Sequence, residues 1–386
     1  MPVPKLRFKE FSNEWKKIKL KYISTELQYG MNAAATDFDG QNKYIRITDI
    51  DDNTHLYNNN PVSPDGKLEE KFLVNTNDIL FARTGASTGK TYLYSIEDGR
   101  LYFAGFLIRA HIKENNNSRF IFEQTNLSRY KNWLKLTSMR SGQPGINSAE
   151  YGNYEFSITN IDEENKIAHF FELLNKKIEL QQRKIEVLKM YKKGLTKKLL
   201  DYSNYKKVKL KDICTFYSGG TPDSKNKNFY TGNIPFIRSG EIHNETTELY
   251  ITSEAIKNSS AKMVYKGSVL YALYGATSGD VSISKINGAI NQAILCINGN
   301  NSINNCFLAI YLAFYRNIII NTYLQGGQGN LSADIIKNLI INLPSAEEQT
   351  EIVQYINSID KKLYTENEKL KNLNFLKKYL LQQMFI

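Results

Sequence analysis

The sequence contains few residues of the kinds that hold metal ions or form disulfides. Of its 386 residues, three are cysteine and four are histidine, and Cys214, Cys296 and Cys306 form no C-x-x-C pair. Neither a zinc site nor a disulfide framework is indicated, and a reducing cytoplasm fits this cysteine usage. Long apolar runs are also missing. The best, CFLAIYLAF at residues 306–314, is far shorter than the roughly 20 residues of a membrane span and predicts a buried helix.

Motifs of two common catalytic classes are absent as well. The chain contains no H-E-x-x-H and no Pro-Pro, which excludes the Asn/Asp-Pro-Pro-Tyr/Phe motif of amino-methyltransferases. Pro64-Asp65 followed by Glu69-Glu70-Lys71 resembles a compressed PD-(D/E)xK nuclease motif. Its carboxylates are too close in sequence for the usual strand-separated arrangement. We predict a solvated charged loop there.

The stretch FARTGASTGKT, residues 81–91, resembles a nucleotide-binding P-loop but has the wrong spacing. Three residues separate Gly85 from Gly89, where the Walker A loop has four. The pattern returns as YALYGATSGDV, residues 271–281, with Asp280 in place of Lys90. Because an acidic residue at that position would repel a phosphate, we interpret both stretches as parts of an internal repeat.

Other segments also occur twice in the same order. WKKIKLKYI (15–23) matches YKKVKLKDI (205–213), YIRITDI (44–50) matches FIRSGEI (236–242), and EEN (163–165) matches EEQ (347–349), at offsets of 184 to 192 residues. Each copy opens with short β-like segments. A helix is then predicted near 119–137 and 305–323, followed by a Gly-Gln loop, RSGQPGIN or QGGQGNLS. The sequence thus predicts two similar mixed α/β domains of an α+β protein.

Each copy ends in a helical pattern of a different kind. Apolar residues recur at steps of three, four or seven over roughly forty residues, which predicts a helix about 60 Å long with one apolar stripe. Ser345 and Glu348 have the spacing of a capping box. Each stripe needs a partner, and two copies packed head to tail would pair the helices antiparallel, with a domain at each end and a pseudo-two-fold axis. The alternative is that each helix packs on its own domain. The residues predicted to form these seams and to dock partner subunits are Ile167, Phe171, Leu174, Ile178, Ile185, Leu188, Ile352, Ile356, Ile359, Leu363, Leu370 and Leu373.

The charge balance indicates a polyanionic partner. Fifty Lys and Arg against 39 Asp and Glu give a net charge of +11, with 25 Tyr and 19 Phe interleaved among the bases. Two domains of one design, held apart by stiff helices, could contact two short sequences on one face of a DNA duplex. The two copies differ in the repeated loop, which implies two different half-sites.

The order of these segments resembles that of the DNA-specificity subunit of type I restriction-modification systems. The resemblance covers almost the whole chain. It is carried by DILFARTGASTGK, by SGQPGIN ahead of IDEENKIAHFF, by ELQQRKIEVLK, by YKKGLTKKLL and by LPSAEEQTEIVQYINSID. The second copy departs from the first where GQPGIN becomes GQGNLS and where YKKGL becomes LKKYLLQQM.

The resemblance implies a domain plan and a role without catalysis. It implies target-recognition domains at 1–158 and 203–344, and coiled-coil helices at 159–202 and 345–386. The chain would recognise a bipartite, asymmetric site in double-stranded DNA and position two modification and two restriction subunits. S-adenosylmethionine for adenine-N6 methylation, ATP and Mg2+ would belong to those partners, and this chain would carry no catalytic residue, metal or cofactor. The alternatives are a protein-docking adaptor without specific DNA recognition and, less favoured, a nucleotide-dependent enzyme.

Candidate DNA contacts follow from side-chain chemistry and position. Arginine can contact guanine in a bidentate manner, glutamine can contact adenine, and lysine suits phosphates. The predicted contacts are Arg46, Arg83, Thr84, Lys90, Arg140, Gln143, Arg238, Ser239, Lys262, Tyr274 and Gln328.

Overall fold

The computed structural model describes residues 3–52, 54–58, 60–139, 143–323 and 330–386. The chain divides into two compact units. Unit 1 comprises Met1–Gln182 and Glu368–Ile386, and unit 2 comprises Arg183–Asn367. Each unit therefore contains one globular domain together with parts of both long helices. No helix in the described part of the chain combines the length and apolar character needed to span a bilayer.

Most strands of the two copies correspond in order. The strands of the first copy are β1 (Lys16–Lys19), β2 (Ser24–Tyr29), β3 (Ala35–Asp37), β4 (Lys43–Ile45), β5 (Val62–Pro64), β6 (Asp78–Ala82), β7 (Thr91–Leu93), β8 (Leu101–Phe103), β9 (Leu107–Ile112) and β10 (Glu155–Ile158). In the second copy they are β11 (Lys206–Lys209), β12 (Cys214–Ser218), β13 (Ile234–Ile237), β14 (Leu249–Ile251), β15 (Lys262–Val264), β16 (Val269–Ala272), β17 (Val281–Ile283), β18 (Gly288–Ile290), β19 (Ile294–Gly299) and β20 (Ile340–Leu343). The exceptions are β3 and β5, which pair with each other, and β14 and β15, which flank the β13–β18 pair.

The helices surround these strands and end each copy. Those of the first copy are α1 (Leu20–Ile23), α2 (Ser118–Gln124), α3 (Ser128–Thr137), α4 (Ser148–Gly152) and α5 (Ile161–Leu200). Those of the second are α6 (Leu210–Ile213), α7 (Ser253–Lys257), α8 (Asn305–Phe314), α9 (Arg316–Tyr323), α10 (Ala333–Lys337) and α11 (Ala346–Met384).

Both copies have the same central sheet. Its order is β2-β9-β6-β7 in unit 1 and β12-β19-β16-β17 in unit 2, with every neighbouring pair antiparallel. A parallel pair accompanies each sheet, β4 with β8 and β13 with β18. The first strand of each copy also pairs with the strand that precedes the long helix, β1 with β10 and β11 with β20. The sequence prediction of two similar mixed α/β domains is confirmed.

The long helices pair antiparallel within each unit. In unit 2, Lys192 of α5 lies 2.5 Å from Asp360 of α11, and Lys184 lies 3.0 Å from Glu366. As the residue number falls along α5 it rises along α11, which defines an antiparallel pair. In unit 1, the Phe385 ring near the end of α11 lies 5.8 Å from the Phe171 ring near the start of α5.

Each long helix ends in the hydrophobic core of the other copy's domain. Leu380, Leu381 and Met384 of α11 share one buried cluster with Trp15 and Phe120 in unit 1. Leu200 of α5 is fully buried in a cluster of unit 2 that also contains Leu210, Phe307 and Ile352. The alternative that each helix packs only on its own domain is therefore wrong.

The helix predicted after the strands in each copy is divided into two. In the first copy, α2 ends at Gln124 and α3 begins at Ser128, because Leu127 is extended at φ −75° and ψ 151°. The Thr125 hydroxyl donates to the Phe122 carbonyl at 2.7 Å and satisfies an acceptor at the end of α2. In the second copy, α8 ends at Phe314 and α9 begins at Arg316, with only Tyr315 between them at φ −88° and ψ 5°. The apolar run at residues 306–314 lies in α8, and Phe307, Leu308 and Leu312 are buried as predicted.

The helix caps correct the alignment of the two copies by one residue. Asn160 accepts from the Glu163 backbone N–H, and Ser345 accepts from that of Glu348, so Glu163 corresponds to Glu348 rather than to Glu347. The Ser345 N–H also donates to the Glu348 carboxylate at 2.8 Å, which confirms the predicted capping box.

A buried carboxylate in the first copy is consequently replaced by a buried amide in the second. Glu164 accepts from the backbone N–H groups of Asn117 and Thr159. Gln349 accepts from the Asn304 N–H and donates to the Pro344 carbonyl. Burial raises the pKa of the Glu164 carboxyl to about 7, against the lowering effect of the two N–H donors. The neutral Gln349 carries no corresponding charge.

Candidate nucleic-acid interface

The two glycine-rich segments that are repeated in the sequence lie together in the first copy. The Gly85 N–H donates to the Pro144 carbonyl at 3.0 Å, and the Ile146 N–H donates to the Arg83 carbonyl at 2.9 Å. Gly85 and Gly89 have φ values of 76° and 90°, which favour glycine. Strand β7 follows this turn where a P-loop would continue into a helix, so the nucleotide-binding alternative is not supported. We call residues 83–89 and 143–147 the paired loops.

Arg83 lies between two aromatic side chains beside these loops. Its guanidinium carbon is 5.0 Å from the centre of the Tyr29 ring and 5.9 Å from that of Phe106. Its Nε donates to the Gly105 carbonyl at 3.1 Å. Phe106 is 59% exposed and Tyr29 is 38% exposed, so this sandwich is open to solvent. No carboxylate of the described residues forms an ion pair with Arg83. Its guanidinium also interacts with the Tyr29 hydroxyl, and the terminal N–H groups that this interaction does not use remain as donors.

Tyr29 is itself held in place. Its hydroxyl accepts a hydrogen bond from the Ser148 backbone N–H at 3.1 Å. Partial burial acts to raise the pKa of this phenol, but the Ser148 hydrogen bonds and the nearby Arg83 charge hold it below its ordinary value. Gly30 lets the chain after Tyr29 approach the turn before Phe106, because a Cβ there would lie 2.2 Å from the Ala104 carbonyl oxygen.

Two other arginines predicted to contact DNA form hydrogen bonds with carboxylates of their own domains. Arg46 donates to both carboxylate oxygens of Asp49, at 2.8 Å each. Arg238 makes the equivalent bonds to Glu241 and a further ion pair with Glu248. Both arginines start a 3-10 helix and hold it in place, so a DNA contact from either would have to share or break these bonds.

Lys90, which was predicted to contact phosphate, is bound within its own domain. Its side chain is 11% exposed, and its ammonium donates to the carbonyls of Ile50 at 2.9 Å and Ile47 at 3.4 Å and pairs with Asp52 at 2.5 Å. Asp280, at the equivalent place in the second copy, pairs with Arg316 at 3.1 Å. Lys90 and Asp280, which distinguish the two loops in the sequence, therefore each bind their loop to other parts of the same domain.

The remaining predicted contacts differ in their surroundings. Thr84 bridges to Gly145 within the paired loops, and Gln143 is exposed, with its side-chain nitrogen beside Gly85. Tyr274 is 37% exposed, Lys262 is exposed on the edge strand β15, and Ser239 is half-buried. Arg140 and Gln328 lie outside the described residues.

The apolar seam residues of the helices are buried mainly near the domains. Ile167, Phe171, Leu174, Ile178, Ile185, Ile352, Ile356 and Ile359 are buried, and Leu188, Leu363, Leu370 and Leu373 are half-buried. The seam also contains Glu366, which is 4% exposed and pairs with Lys184. The pattern of apolar residues in the sequence did not predict this buried carboxylate.

The paired loops have a structural counterpart in the second copy with different side chains. The Leu273 N–H donates to the Ala293 carbonyl just as Arg83 donates to Phe106. Leu273 therefore replaces Arg83, Ala293 replaces Phe106, and Ser218 replaces Tyr29 at the end of the matching strand. All three members of the arginine sandwich differ together. Tyr29 and Phe106 were not predicted from the sequence. An alignment of the two copies at these positions would have shown that both residues change together with Arg83.

The described residues contain no group of three or more His, Cys, Asp and Glu side chains placed to hold a metal ion. The acidic stretch that resembles a nuclease motif lies on the surface. Asp65, Glu69 and Glu70 are exposed, and Glu69 pairs with its neighbour Lys71 at 2.7 Å.

Comparison with known proteins agrees with the fold and the repeat. A family model described as the type I restriction modification DNA specificity domain matches residues 7–190 and again 202–374. The two matches cover most of the chain, which therefore belongs to this family. Its role is that of a type I specificity subunit, and the alternative of a docking adaptor is not supported.

Two relatives are similar over most of their length. The putative type I restriction enzyme MjaX specificity subunit of Methanocaldococcus jannaschii is 23% identical over 379 residues, covering 91% of this chain and 88% of the relative. The MjaVIII specificity subunit of the same organism is 21% identical over 348 residues, covering 81% and 79%.

Solved structures share the fold. The S subunit of a type I system from M. genitalium has a TM-score of 0.62 at 16% identity, covering 100% of this chain and 99% of that one. A chain from a study of complex assembly and conformational transition in the type I restriction-modification system has the same TM-score at 17% identity, covering 97% and 98%.

Proposed function

We propose that the chain recognises a bipartite, asymmetric DNA site, with Arg83 contacting guanine in the half-site bound by the first domain. The observation that carries this proposal is the state of the Arg83 side chain. Its Nε is occupied by the Gly105 carbonyl and its plane is held by Tyr29 and Phe106. The terminal N–H groups that the Tyr29 hydroxyl does not use can donate to the O6 and N7 acceptors of guanine in the major groove.

The fixed position of Arg83 favours base contact over a loose phosphate contact. A side chain held on two sides loses little further entropy on binding, so more of the hydrogen-bond energy contributes to discrimination. Its net charge is not offset by a carboxylate of the described residues, in contrast to Arg46 and Arg238. Among the predicted arginine contacts described here, Arg83 is therefore the one we assign to a base.

The two half-sites are proposed to differ. The second domain has Leu273, which is 1% exposed, where the first has Arg83. A buried leucine makes no hydrogen bond to a base edge. The same backbone thus presents a different set of side chains in each domain, and a target of two unlike halves follows.

Exposed apolar side chains on the long helices are proposed to dock the modification subunits. In unit 1, α5 exposes Leu173 and Leu180, one heptad apart, and α11 exposes Phe375. In unit 2, α5 exposes Val187 and Tyr191. Apolar side chains in such number on a solvent-facing helix favour an interface with further helices.

The chemistry is proposed to reside in the partners. Two modification subunits would bind S-adenosylmethionine and methylate adenine, and two restriction subunits would use ATP and Mg2+. The chain would contribute no catalytic group and bind none of these cofactors, consistent with the missing motifs. Turnover by the purified chain alone would contradict this part of the proposal.

The whole proposal is tested by reconstituting the modification complex with its own subunits and mapping methylated adenines in a host genome. We expect one motif with two unlike halves separated by a fixed spacer. Binding of the complex to duplex DNA should also weaken steeply with salt, since phosphate neutralisation releases counterions. A single undivided motif, or methylation without sequence preference, would contradict it.

A further inference from the structure

The turn that holds Phe106 in the first domain carries a different polar group in the second. In the first domain, residues 104–106 connect β8 to β9, and the Leu107 N–H closes the turn on the Ala104 carbonyl at 2.8 Å. In the second domain, residues 291–293 connect β18 to β19, and the Ile294 N–H closes on the Asn291 carbonyl at 3.3 Å. The turns are therefore equivalent, and Gln292 stands where the first domain has Gly105.

Gln292 is exposed, and one of its amide atoms is fixed. The Thr221 hydroxyl donates to Gln292 Oε1 at 2.8 Å. This bond orients the amide, so that Nε2 is the free donor and Oε1 keeps a second lone pair. Gly219 permits the approach of the Thr221 segment to this turn, since a Cβ on Gly219 would lie 1.8 Å from the Ile290 carbonyl oxygen.

An exposed aromatic residue follows the neighbouring strand β16. Strands β16 and β19 pair with Ala272 opposite Ile294, and the Leu273 N–H donates to the Ala293 carbonyl. Continuing that register by one residue puts Tyr274 opposite Gln292. Residues directly opposite on paired strands have Cβ atoms about 4.5–5.5 Å apart. The second domain thus offers an oriented amide and an exposed tyrosine at this end of the sheet, where the first offers an arginine between two rings.

We propose that Gln292 is a specificity-determining residue for the second half-site and contacts adenine there. The inference rests on the proposed function, because it requires that this surface meets DNA. An oriented glutamine amide donates to adenine N7 and accepts from adenine N6, and that pairing distinguishes adenine from the other bases in the major groove. Thr221 acts as a positioning residue that sets which amide atom faces which base atom.

The test compares methylation maps of the reconstituted modification complex carrying wild-type chain, Arg83→Ala, Gln292→Ala or Thr221→Val. We expect Gln292→Ala to relax one A·T position by about 5- to 150-fold in discrimination. The relaxed position should lie in the half-site that Arg83→Ala leaves unchanged. Thr221→Val retains the amide but frees its orientation, so we expect a smaller loss at the same position.

A matched control is Asn301→Ala, which removes an exposed amide at the opposite end of β19 in the same domain. It should leave the map unchanged. If Gln292→Ala alters no position, alters a G·C position, or relaxes both half-sites equally, the assignment of Gln292 is wrong. A different result would contradict the proposed function itself: a methylation map of the wild-type complex that lacks two unlike half-sites.

Discussion

The Lys90 ammonium lies 2.9 Å from the Ile50 carbonyl oxygen and joins the Arg83 loop to the segment that follows Arg46. The same ammonium reaches the Ile47 carbonyl, so it caps the 3-10 helix that Arg46 begins. A residue that the sequence presents as a phosphate contact is a structural tie between two loops.

Lys90→Met should lower the stability of unit 1 by about 1–3 kcal/mol, because buried carbonyls lose a charged donor. The salt dependence of DNA binding by the complex should not change. Urea unfolding and binding titrations at several salt concentrations measure the two effects. Lys67→Met, which removes an exposed lysine in the same domain, serves as the control for stability. An unchanged stability with a salt slope smaller by about one would restore Lys90 as a phosphate contact.

Arg83→Ala should weaken binding to the preferred site by about 1–3 kcal/mol and relax one G·C position in a single half-site. Arg83→Lys should relax the same position, since an ammonium lacks the planar fork of donors. Phe106→Leu keeps the arginine but removes one ring of the sandwich, so we expect a partial loss there. Equal weakening on every DNA sequence would identify Arg83 as a phosphate contact.

The stability of unit 1 should fall as pH rises from 4.5 to about 7 through the Glu164 carboxyl. Its folded pKa lies above its unfolded value, so the contribution is present when the group is protonated and is lost as pH rises through the folded pKa. Glu164→Gln should remove this pH dependence. The free energy of unfolding would then vary less over this pH range, by about 3 kcal/mol, a value that follows from the size of the pKa shift.

The second copy provides the reciprocal experiment. Gln349→Glu should introduce a dependence of the same sign in unit 2, because the new carboxyl would be buried beside the Pro344 carbonyl. Thermal unfolding between pH 5 and 8 follows both variants. A wild-type profile that is unaffected by Glu164→Gln would show that this carboxyl does not titrate in the window.

Leu180→Lys should weaken the association of the chain with its modification subunits without unfolding it. Leu180 is already 55% exposed, so the charge disturbs a partner surface and leaves the core intact. Glu186→Lys puts the same charge on the exposed surface about 120° around the helix and is the control. Co-purification and the unfolding temperature are compared for the two variants. Equal loss of association in both would place the interface elsewhere.

The paired helices are proposed to set the spacer between the half-sites. Leu188 and Leu363 lie at matching levels, between the ion pairs Lys184–Glu366 and Lys192–Asp360 of unit 2. One heptad of the same apolar phase inserted after each adds about 10 Å of helix, or at most about three base pairs at 3.4 Å each.

We expect the mapped spacer to lengthen by roughly one to three base pairs, with both half-site sequences unchanged. Insertion of four residues in α5 alone is the control, because it shifts the seam out of phase and should weaken partner docking. An active heptad variant with the original spacer would contradict this role of the helices.

Local spacing in the sequence determined much of the architecture. The repeat, the long helices and the Ser345–Glu348 cap depend on residues close together in the chain, whose geometry is set by helix periodicity and backbone hydrogen bonding. The antiparallel pairing also followed from the apolar stripes, since each needed a partner of equal length. The buried Glu366 was not foreseen because its partner Lys184 lies on the other helix.

The tertiary structure alone decided which charges are free. Arg46, Lys90 and Arg83 look alike in the sequence, yet Asp49 and backbone carbonyls occupy the first two, while Tyr29 and Phe106 hold the third open to solvent. Tyr29, Arg83 and Phe106 meet because β2 and β6 end, and the antiparallel β9 begins, at the same end of one sheet. Strand order and register bring distant residues together, and these depend on packing over the whole domain rather than on any local pattern.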